Sequence, residues 1–429
     1  MRLAGRISAA IEVLAEVLER HRPASIALAD WGRAHRFAGS GDRSAIGTLV
    51  YDVLRRRMSL AWRMGEDTPR ALVIGAMAHV WEMTPEQIAA LFDGSQHAPS
   101  PLTPAETAAL EGNARDMPGW AAADVPEWLF PEFASVFGER AVAEGAALAR
   151  RAPIDLRVNT LKADVPRVLK ALEKYRPQPT PFSPAGVRIP PAGPQDKNPN
   201  VEAEAAHGRG WFEVQDEASQ IAVYLSGAGP RLQMLDLCAG SGGKTLGIAA
   251  LSQNTGQIYA YDADKQRLRP IFERLKRAGA RNVQVLNAGE EAALAALDAR
   301  MDLVFVDAPC SGSGVWRRRP DAKWRLTAEA LAQRQGEQRR VLDMAAPLVR
   351  PGGTLLYATC SVLASENREQ TRAFLDRTPH FAERDWKDAW KNSALLAAPV
   401  DSEDGAALQL TPARHGTDGF YISLLQRRN

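Results

Sequence analysis

Apolar positions change their period along the chain. Over the first third they recur every three or four residues: Ile7, Ile11, Leu14 and Leu18 share one face of a helix that Arg22-Pro23 closes. The same spacing predicts helices over Ala45 to Trp62 and Ala71 to Met83. Thr84-Pro85-Glu86-Gln87 and Thr103-Pro104-Ala105-Glu106 each put a capping threonine before a first-turn proline, with Gln or Glu three residues after the threonine. From Gly210 onward short apolar runs alternate with helical stretches. The strands expected there are Gln233 to Cys238, Gln257 to Asp262, Asn282 to Leu286, Leu303 to Asp307, Gly353 to Thr359 and Phe420 to Leu425. That alternation predicts an α/β fold with a parallel, doubly wound, Rossmann-like sheet.

Between these regions, Ile154 to Leu161 reads as a strand and Pro166 to Tyr175 as a helix, while Pro177 to Pro199 is proline-rich enough to be mostly loop. Three domains are therefore expected: an all-helical one over residues 1–145, a small α+β module over 146–209 and the α/β domain over 210–429. No internal repeat or low-complexity tract interrupts them.

Composition excludes classes rather than naming one. The 429 residues are 45% hydrophobic and 24% charged, as in an ordinary globular protein, and 53 Lys plus Arg against 51 Asp plus Glu leave a net charge of only +2. Any nucleic-acid affinity must come from local clusters. Three cysteines, at 238, 310 and 360, give neither a disulfide framework nor metal-ligand spacing, so no metal is expected and a reducing cytoplasm is the expected compartment. No apolar run approaches the roughly 20 residues of a membrane span, and the N-terminus lacks a signal peptide's apolar stretch. The expected state is a cytoplasmic monomer without membrane contact.

The first α/β strand runs into Cys238-Ala239-Gly240-Ser241-Gly242-Gly243-Lys244-Thr245. Glycines at such a turn let the backbone approach a ligand and aim amides from the next helix. A Walker A motif would need glycine where Cys238 stands, which argues against a P-loop ATPase. The second strand ends at Asp262, where an acid can accept from a ribose diol, and the third reaches Asn287. Loop, acid and Asn287 together serve NAD or S-adenosylmethionine, and the absence of a clean G-x-G-x-x-G favours the latter.

Two further strands end in Asp307-Ala308-Pro309-Cys310 and Thr359-Cys360. Taken singly, each cysteine reads as a small buried hydrophobe. Together, after the glycine loop, they point to covalent chemistry on a flat ring, because residues closing strands of one parallel sheet converge on one crevice. Cytosine and uracil react at carbon 5 only after a nucleophile adds at carbon 6, and a thiolate both adds and leaves readily. Asp307 is placed to hold the base through its exocyclic amine or ring nitrogen. A second thiol is a candidate helper when the adduct is resolved.

These residues resemble the RsmB/Sun-type family of RNA cytosine-5 methyltransferases. The resemblance spans roughly residues 150 to 425 and rests on several ordered motifs. They are Arg157-Val158-Asn159-Thr160-Leu161-Lys162, Val214-Gln215-Asp216-Glu217-Ala218-Ser219, the Cys238 to Thr245 loop, Asp307 to Gly312, Arg319-Pro320-Asp321, Thr359-Cys360-Ser361 and Asp418-Gly419-Phe420-Tyr421. It implies that Cys360 is the nucleophile and that Cys310 assists product release; DNA cytosine methyltransferases instead use a Pro-Cys cysteine as nucleophile. It also implies that Cys238, Ala239, Gly240, Ser241, Gly242, Gly243 and Lys244 wrap S-adenosylmethionine. Asp262 would take the ribose, and Asp307 would face both cofactor and base. Two departures stand out: Gly240-Ser241-Gly242 replaces the usual Ala-Pro-Gly, and Asn287 replaces an acid expected to contact adenine. The N-terminal helices resemble, less specifically, the NusB-like RNA-binding domain of the ribosomal RNA enzymes, which makes ribosomal RNA the expected partner.

Two basic clusters bear on RNA. Trp316-Arg317-Arg318-Arg319 with Lys323-Trp324-Arg325 interleave cations for phosphates with rings for stacking, and Arg55 to Arg57 read equally as a phosphate contact or a solvated helix face. Reaching carbon 6 requires a flipped base or a single-stranded target. The competing readings are a catalytically silent RNA-binding ribosome assembly factor, and transfer RNA as the substrate.

Overall fold

The computed structural model describes residues 1–112, 116–193, 196, 199–289, 291–399 and 405–429. They divide into two units. One comprises Met1–Ala152, Pro191–Pro199 and Val315–Leu326; the other comprises Pro153–Pro190, Asn200–Gly314 and Thr327–Asn429. The helical unit thus runs past residue 145 and takes in two later segments, while most of the small module falls in the same unit as the large sheet.

In the first unit the helices Leu3–Glu19, Ala24–Ala34, Ser40–Arg55, Arg57–Met64 and Pro69–His79 bury Ile7, Leu14, Leu49, Val53, Leu72 and Ile74 in one core. Both threonine signals are realised: Thr84 and Thr103 each cap a helix in a complete capping box. The helix expected over Ala45 to Trp62 is instead two helices, broken at Arg56 (φ −119°, ψ 26°). Distant residues satisfy the ends this break exposes. Lys323 Nζ donates to the Arg55 carbonyl at 3.0 Å and Trp324 Nε1 to that of Leu54 at 2.6 Å, so both cap the last turn of Ser40–Arg55. Asp124 accepts from the Ser59 amide at 2.9 Å and the Ser59 hydroxyl at 2.8 Å, capping the helix that follows.

This packing corrects the expected RNA-contact role of the Trp316 to Arg325 cluster. Trp316, Arg317 and Lys323 are buried, and Arg317 O accepts from Arg55 Nε at 2.8 Å. Only Arg319 and Arg325 are exposed, and Arg325 is paired with Asp321. Alternating cations and rings describe an amphipathic capping segment as well as an RNA surface, and sequence alone does not separate the two. The Arg55 to Arg57 cluster is likewise divided. Arg55 is bound to Asp52 at 3.1 Å, and burial lowers its pKa to about 10. Arg57 pairs with Asp67 at 2.7 Å, leaving Arg56 at the break.

Burial pushes the Lys323 ammonium down to about 8, with Asp124 opposing the shift and Arg55 adding to it. Between pH 8 and the ordinary lysine value the unfolded chain binds more protons than the folded one. Stability conferred through this residue therefore rises with pH across that window, by up to about 1.4 kcal/mol per unit. Lys323→Met should remove that slope. Denaturant melts of both proteins at pH 8 and pH 10 should diverge; parallel changes would refute the assignment.

The second unit contains two sheets. The smaller holds β1 (Ile154–Val158), β2 (Gln178–Pro179), β3 (Gly186–Ile189) and β4 (Phe212–Val214) in the order β2-β3-β1-β4, all pairs antiparallel. Among the described residues Pro177 to Pro199 is mostly loop, as expected, apart from β2 and β3; the residues of β3 lack proline, so their amides remain available to the ladder. The larger sheet holds β5 (Gln233–Asp236), β6 (Gln257–Ala260), β7 (Val283–Val285), β8 (Met301–Asp307), β9 (Val349–Thr359), β10 (Phe381–Arg384), β11 (Leu408–Leu410) and β12 (Phe420–Arg427). Its order is β10-β12-β9-β8-β5-β6-β7, with β11 also on β12.

Strands β9 to β7 along that order are parallel, whereas β12 runs antiparallel to β9. The last expected strand is therefore not part of the parallel set. Along β8, Leu303 and Phe305 enter one core while Val304 and Val306 enter the other; Leu356 and Ala358 alternate with Leu355 and Tyr357 in the same way on β9. Burial of both faces explains why these strands read as continuous apolar runs.

Candidate active site

The chemistry-bearing residues follow the carboxyl ends of β5, β6, β8 and β9. Chain order reverses at β5, which lies between β8 and β6, so a crevice opens where parallel sheets bind ligands. Asp236 closes β5 and accepts from Thr245 Oγ1 at 2.6 Å, and burial pushes its carboxyl up to about 7. The Cys238 thiol that follows is also held well above its ordinary pKa by burial, with nearby acids adding to the shift.

Gly240 (φ +51°) and Gly242 (φ +85°) turn the loop into the helix Gly243–Leu251. A Cβ at Gly242 would lie 2.5 Å from Ile271 Cγ1, so no other residue fits without displacement. The loop is fastened from the small module: Arg157 Nη1 donates to Gly243 O at 2.6 Å and to Gln215 Oε1 at 2.5 Å. The Arg157 and Gln215 motifs thus serve to position the loop. Asp262 accepts from the Gly240 amide at 2.9 Å and from the Asp264 amide at 2.8 Å. Ala239 joins the same turn through Tyr261 O, and Ser241 is held by Arg274. Asn287 is exposed beyond β7, two strands from β5.

Lys244 Nζ lies 2.5 Å from Asp307 Oδ2. Burial works against its charge, but Asp307 and then Cys360 outweigh it, so the ammonium is held above its ordinary pKa. Asp307 pairs with Ala358 in the β8–β9 register, which brings the segments after both strands together. Cys310 Sγ and Cys360 Sγ are 3.4 Å apart, and both residues are half-buried. The hydrogen bond to Cys360, followed by burial, keeps Cys310 a neutral thiol well above its ordinary pKa. The two thiols are therefore unequal: Cys310 retains its proton, and Cys360 has the Lys244 ammonium nearby.

Sequence reasoning missed Glu366. It is fully buried and bonds the residue after each cysteine: it accepts from Ser311 N at 2.7 Å, Ser311 Oγ at 2.5 Å and Ser361 Oγ at 2.6 Å. Gln338 Nε2 donates to it at 3.0 Å and to Pro309 O at 2.9 Å. Burial raises the Glu366 carboxyl while Ser311 and Ser361 oppose the rise. One carboxylate thus ties both cysteine loops. A single acid six residues after Cys360 carries no pattern that would have marked it. Gly314 and Gly419 lock the same region, since a Cβ on Gly314 would lie 2.0 Å from Gly419 O.

Among the described residues no His, Cys, Asp and Glu group could hold a metal, and no helix is long and apolar enough to cross a membrane. Residues 228–426 match the family model for 16S rRNA methyltransferase RsmB/F, and residues 125–195 match the RsmF/B-like ferredoxin-like domain. Ribosomal RNA small subunit methyltransferase B of Photorhabdus laumondii is 32% identical over 305 residues, covering 71% of this chain and 66% of that protein. Its namesake from Cronobacter sakazakii is 36% identical over 304 residues, covering 70% and 66%. The chain spans 66% of the length of these curated relatives, just under two thirds. The crystal structure of PH0851 superposes with a TM-score of 0.74 at 26% identity, covering 100% of this chain and 99% of that one. A methyltransferase homologue from Pyrococcus horikoshii gives 0.59 at 26% identity, covering 72% and 97%. With the glycine loop, both cysteine strands and the small antiparallel module accounted for in this way, the chain belongs to the RsmB/F family of methyltransferases.

Proposed function

We propose that this protein transfers a methyl group from S-adenosylmethionine to carbon 5 of a cytosine in RNA, with ribosomal RNA as substrate, through a thiol adduct at carbon 6. The observation that carries this reading is the pair of unequal thiols 3.4 Å apart after adjacent parallel strands, beside Lys244 and Asp307. The residues present fit the cofactor. A Cβ at Gly240 would stand 3.4 Å from Arg267 Nη2 and 3.9 Å from Asp262 Oδ2, so the bare glycine leaves room beside an acid suited to a ribose diol. Loop residues 238–244 and the helix start would meet the rest of the cofactor, with Asn287 toward adenine. Lys244, which a P-loop would aim at phosphates, is engaged by Asp307, and this disfavours an ATPase.

S-adenosylmethionine supplies, when bound, an electrophilic methyl group on a sulfonium. Cys360 adds as thiolate to carbon 6, and the displaced electron pair makes carbon 5 the nucleophile that takes the methyl group. Lys244 stands near the attacking sulfur, and the Asp307 carboxylate would hold the pyrimidine by accepting from its exocyclic amine. Loss of the carbon 5 proton to solvent then expels Cys360, whose departing sulfur accepts a hydrogen bond from the Cys310 thiol. Three unpaired cysteines suit the reducing cytoplasm in which this chemistry would run.

Tritiated methyl transfer tests the reading. Ribosomal RNA from cells lacking the protein should gain label as 5-methylcytosine. Label in transfer RNA alone would move the substrate, and no label with either RNA would overturn the enzymatic reading.

A further inference from the structure

The helical unit holds a second constellation outside the methyl-transfer site. Arg56, Arg63, Arg150 and His79 line one cavity of about 400 Å³, with Ser59 and Asp124 among its walls. Among the described residues none of these three arginines has a side-chain hydrogen bond or ion pair, in contrast to Arg55 and Arg57 on either side of Arg56. Asp124 is the acid in that cavity, and both its oxygens are occupied by Ser59. The cations converge: burial, then Arg63 and Arg56, lower the pKa of His79. With three arginines and a histidine facing one acid that Ser59 already occupies, the cavity carries surplus positive charge and suits a phosphate.

The other face of the same short helix, Arg57–Met64, borders a second cavity of about 360 Å³. Met58, Ala61 and Trp62 line it from the helix, and Trp120 meets Trp62 edge to face at 6.2 Å between centroids. Glu66 and Asp67 stand at this cavity too, and Asp67 is committed to Arg57. Indole rings beside a cationic cavity match the alternation of base and phosphate along a nucleic-acid strand. Glu66 would repel an acidic peptide yet accept from a base's exocyclic amine.

We propose that the helical unit binds single-stranded RNA across the helix Arg57–Met64, with Arg56, Arg63 and Arg150 around a backbone phosphate on one side and a base against Trp62 and Trp120 on the other. The site deepens the RNA reading and rests on it. The break at Arg56 then has a use, because it turns one arginine of a continuous basic run into the cavity while its neighbours are neutralised.

The test is fluorescence anisotropy of a short labelled single-stranded RNA with the full chain at several salt concentrations. Arg63→Gln with Arg150→Gln removes two exposed cations and should weaken binding about tenfold and flatten the salt slope by about 0.7, as for one lost phosphate contact. Trp120→Leu should weaken binding about tenfold with the slope unchanged. In wild type, RNA should raise the His79 pKa, read by NMR and assigned with His79→Gln. Wild-type affinity and slope in both variants would overturn the proposal. So would a His79 shift produced by inorganic phosphate in protein whose variants bind RNA normally, since that marks a free-anion site. Methylation at saturating RNA should match wild type in both variants. If the variants lose binding but no preparation methylates RNA, the enzymatic reading fails and this site stands; if methylation proceeds and the variants bind normally, this site alone fails.

Discussion

Cys360→Ala should lower methyl transfer by roughly 10⁴-fold or more while S-adenosylmethionine affinity stays near wild type. The chemistry has no substitute for this sulfur: carbon 5 of cytosine becomes nucleophilic only after addition at carbon 6. Cys310 is a poor replacement: the variant removes the contact with Cys360 that holds its proton, but burial and the nearby Glu366 still favour the neutral thiol. The glycine loop is anchored independently of Cys360, through Arg157 to Gly243 and Asp262 to Gly240, so its shape should survive the change. Isothermal titration with the cofactor and single-turnover methylation separate these effects. Near-wild-type turnover would remove Cys360 from the mechanism, and loss of cofactor binding would show that the loop depends on it.

Glu366→Gln should lower kcat by about 10²-fold with little change in KM, because the residue positions the two thiols and touches neither base nor cofactor. Its carboxylate accepts from the Ser311 amide and Gln338 on one oxygen and from the Ser311 and Ser361 hydroxyls on the other, so an amide NH₂ either opposes the two N–H donors or forces both hydroxyls to turn round and lose their acceptor. The loops would shift apart, and the spacing between the two sulfurs would change with them. Glu366→Ala is more severe: it leaves those donors unsatisfied at about 1–3 kcal/mol each and should destabilise the protein measurably. Cross-linking of Cys310 and Cys360 by a trivalent arsenical, which needs adjacent thiols, should weaken in Glu366→Gln while the melting temperature changes little. A variant equal to wild type in kcat and arsenical reactivity would reduce Glu366 to a buried filler.

The parallel strands and their terminal residues were legible because each signal was local. Leu303 to Asp307 is apolar throughout since both faces are covered, and the residues that end strands in acids or cysteines stand where the sheet opens. The threonine caps were readable for the same reason. The failures share the opposite cause. Trp316 to Arg325 looks amphipathic in isolation, and only the carbonyls of Leu54 and Arg55, some 270 residues earlier, show why it is buried. The helix break at Arg56 depends on those contacts and on Asp124, so no window around residue 56 contains its cause. β3 was hidden by flanking prolines, and nothing in Phe420 to Leu425 marks that strand as antiparallel. Glu366 acquires meaning only when Ser311 and Ser361 are brought to it.

The central claim is that cytosine is attacked by one particular sulfur. Incubation of Cys310→Ala with RNA and S-adenosylmethionine, followed by denaturation, nuclease digestion and peptide mass spectrometry, identifies the residue that carries the nucleotide. Loss of the Cys310 thiol, 3.4 Å from Cys360, should slow departure of the attacking sulfur, so a denaturant-resistant complex should accumulate. The modified peptide should contain Cys360, and the Cys310→Ala, Cys360→Ala double variant should form no complex. A complex that instead accumulates in Cys360→Ala, with the nucleotide on Cys310, would contradict the account and exchange the roles of the two thiols.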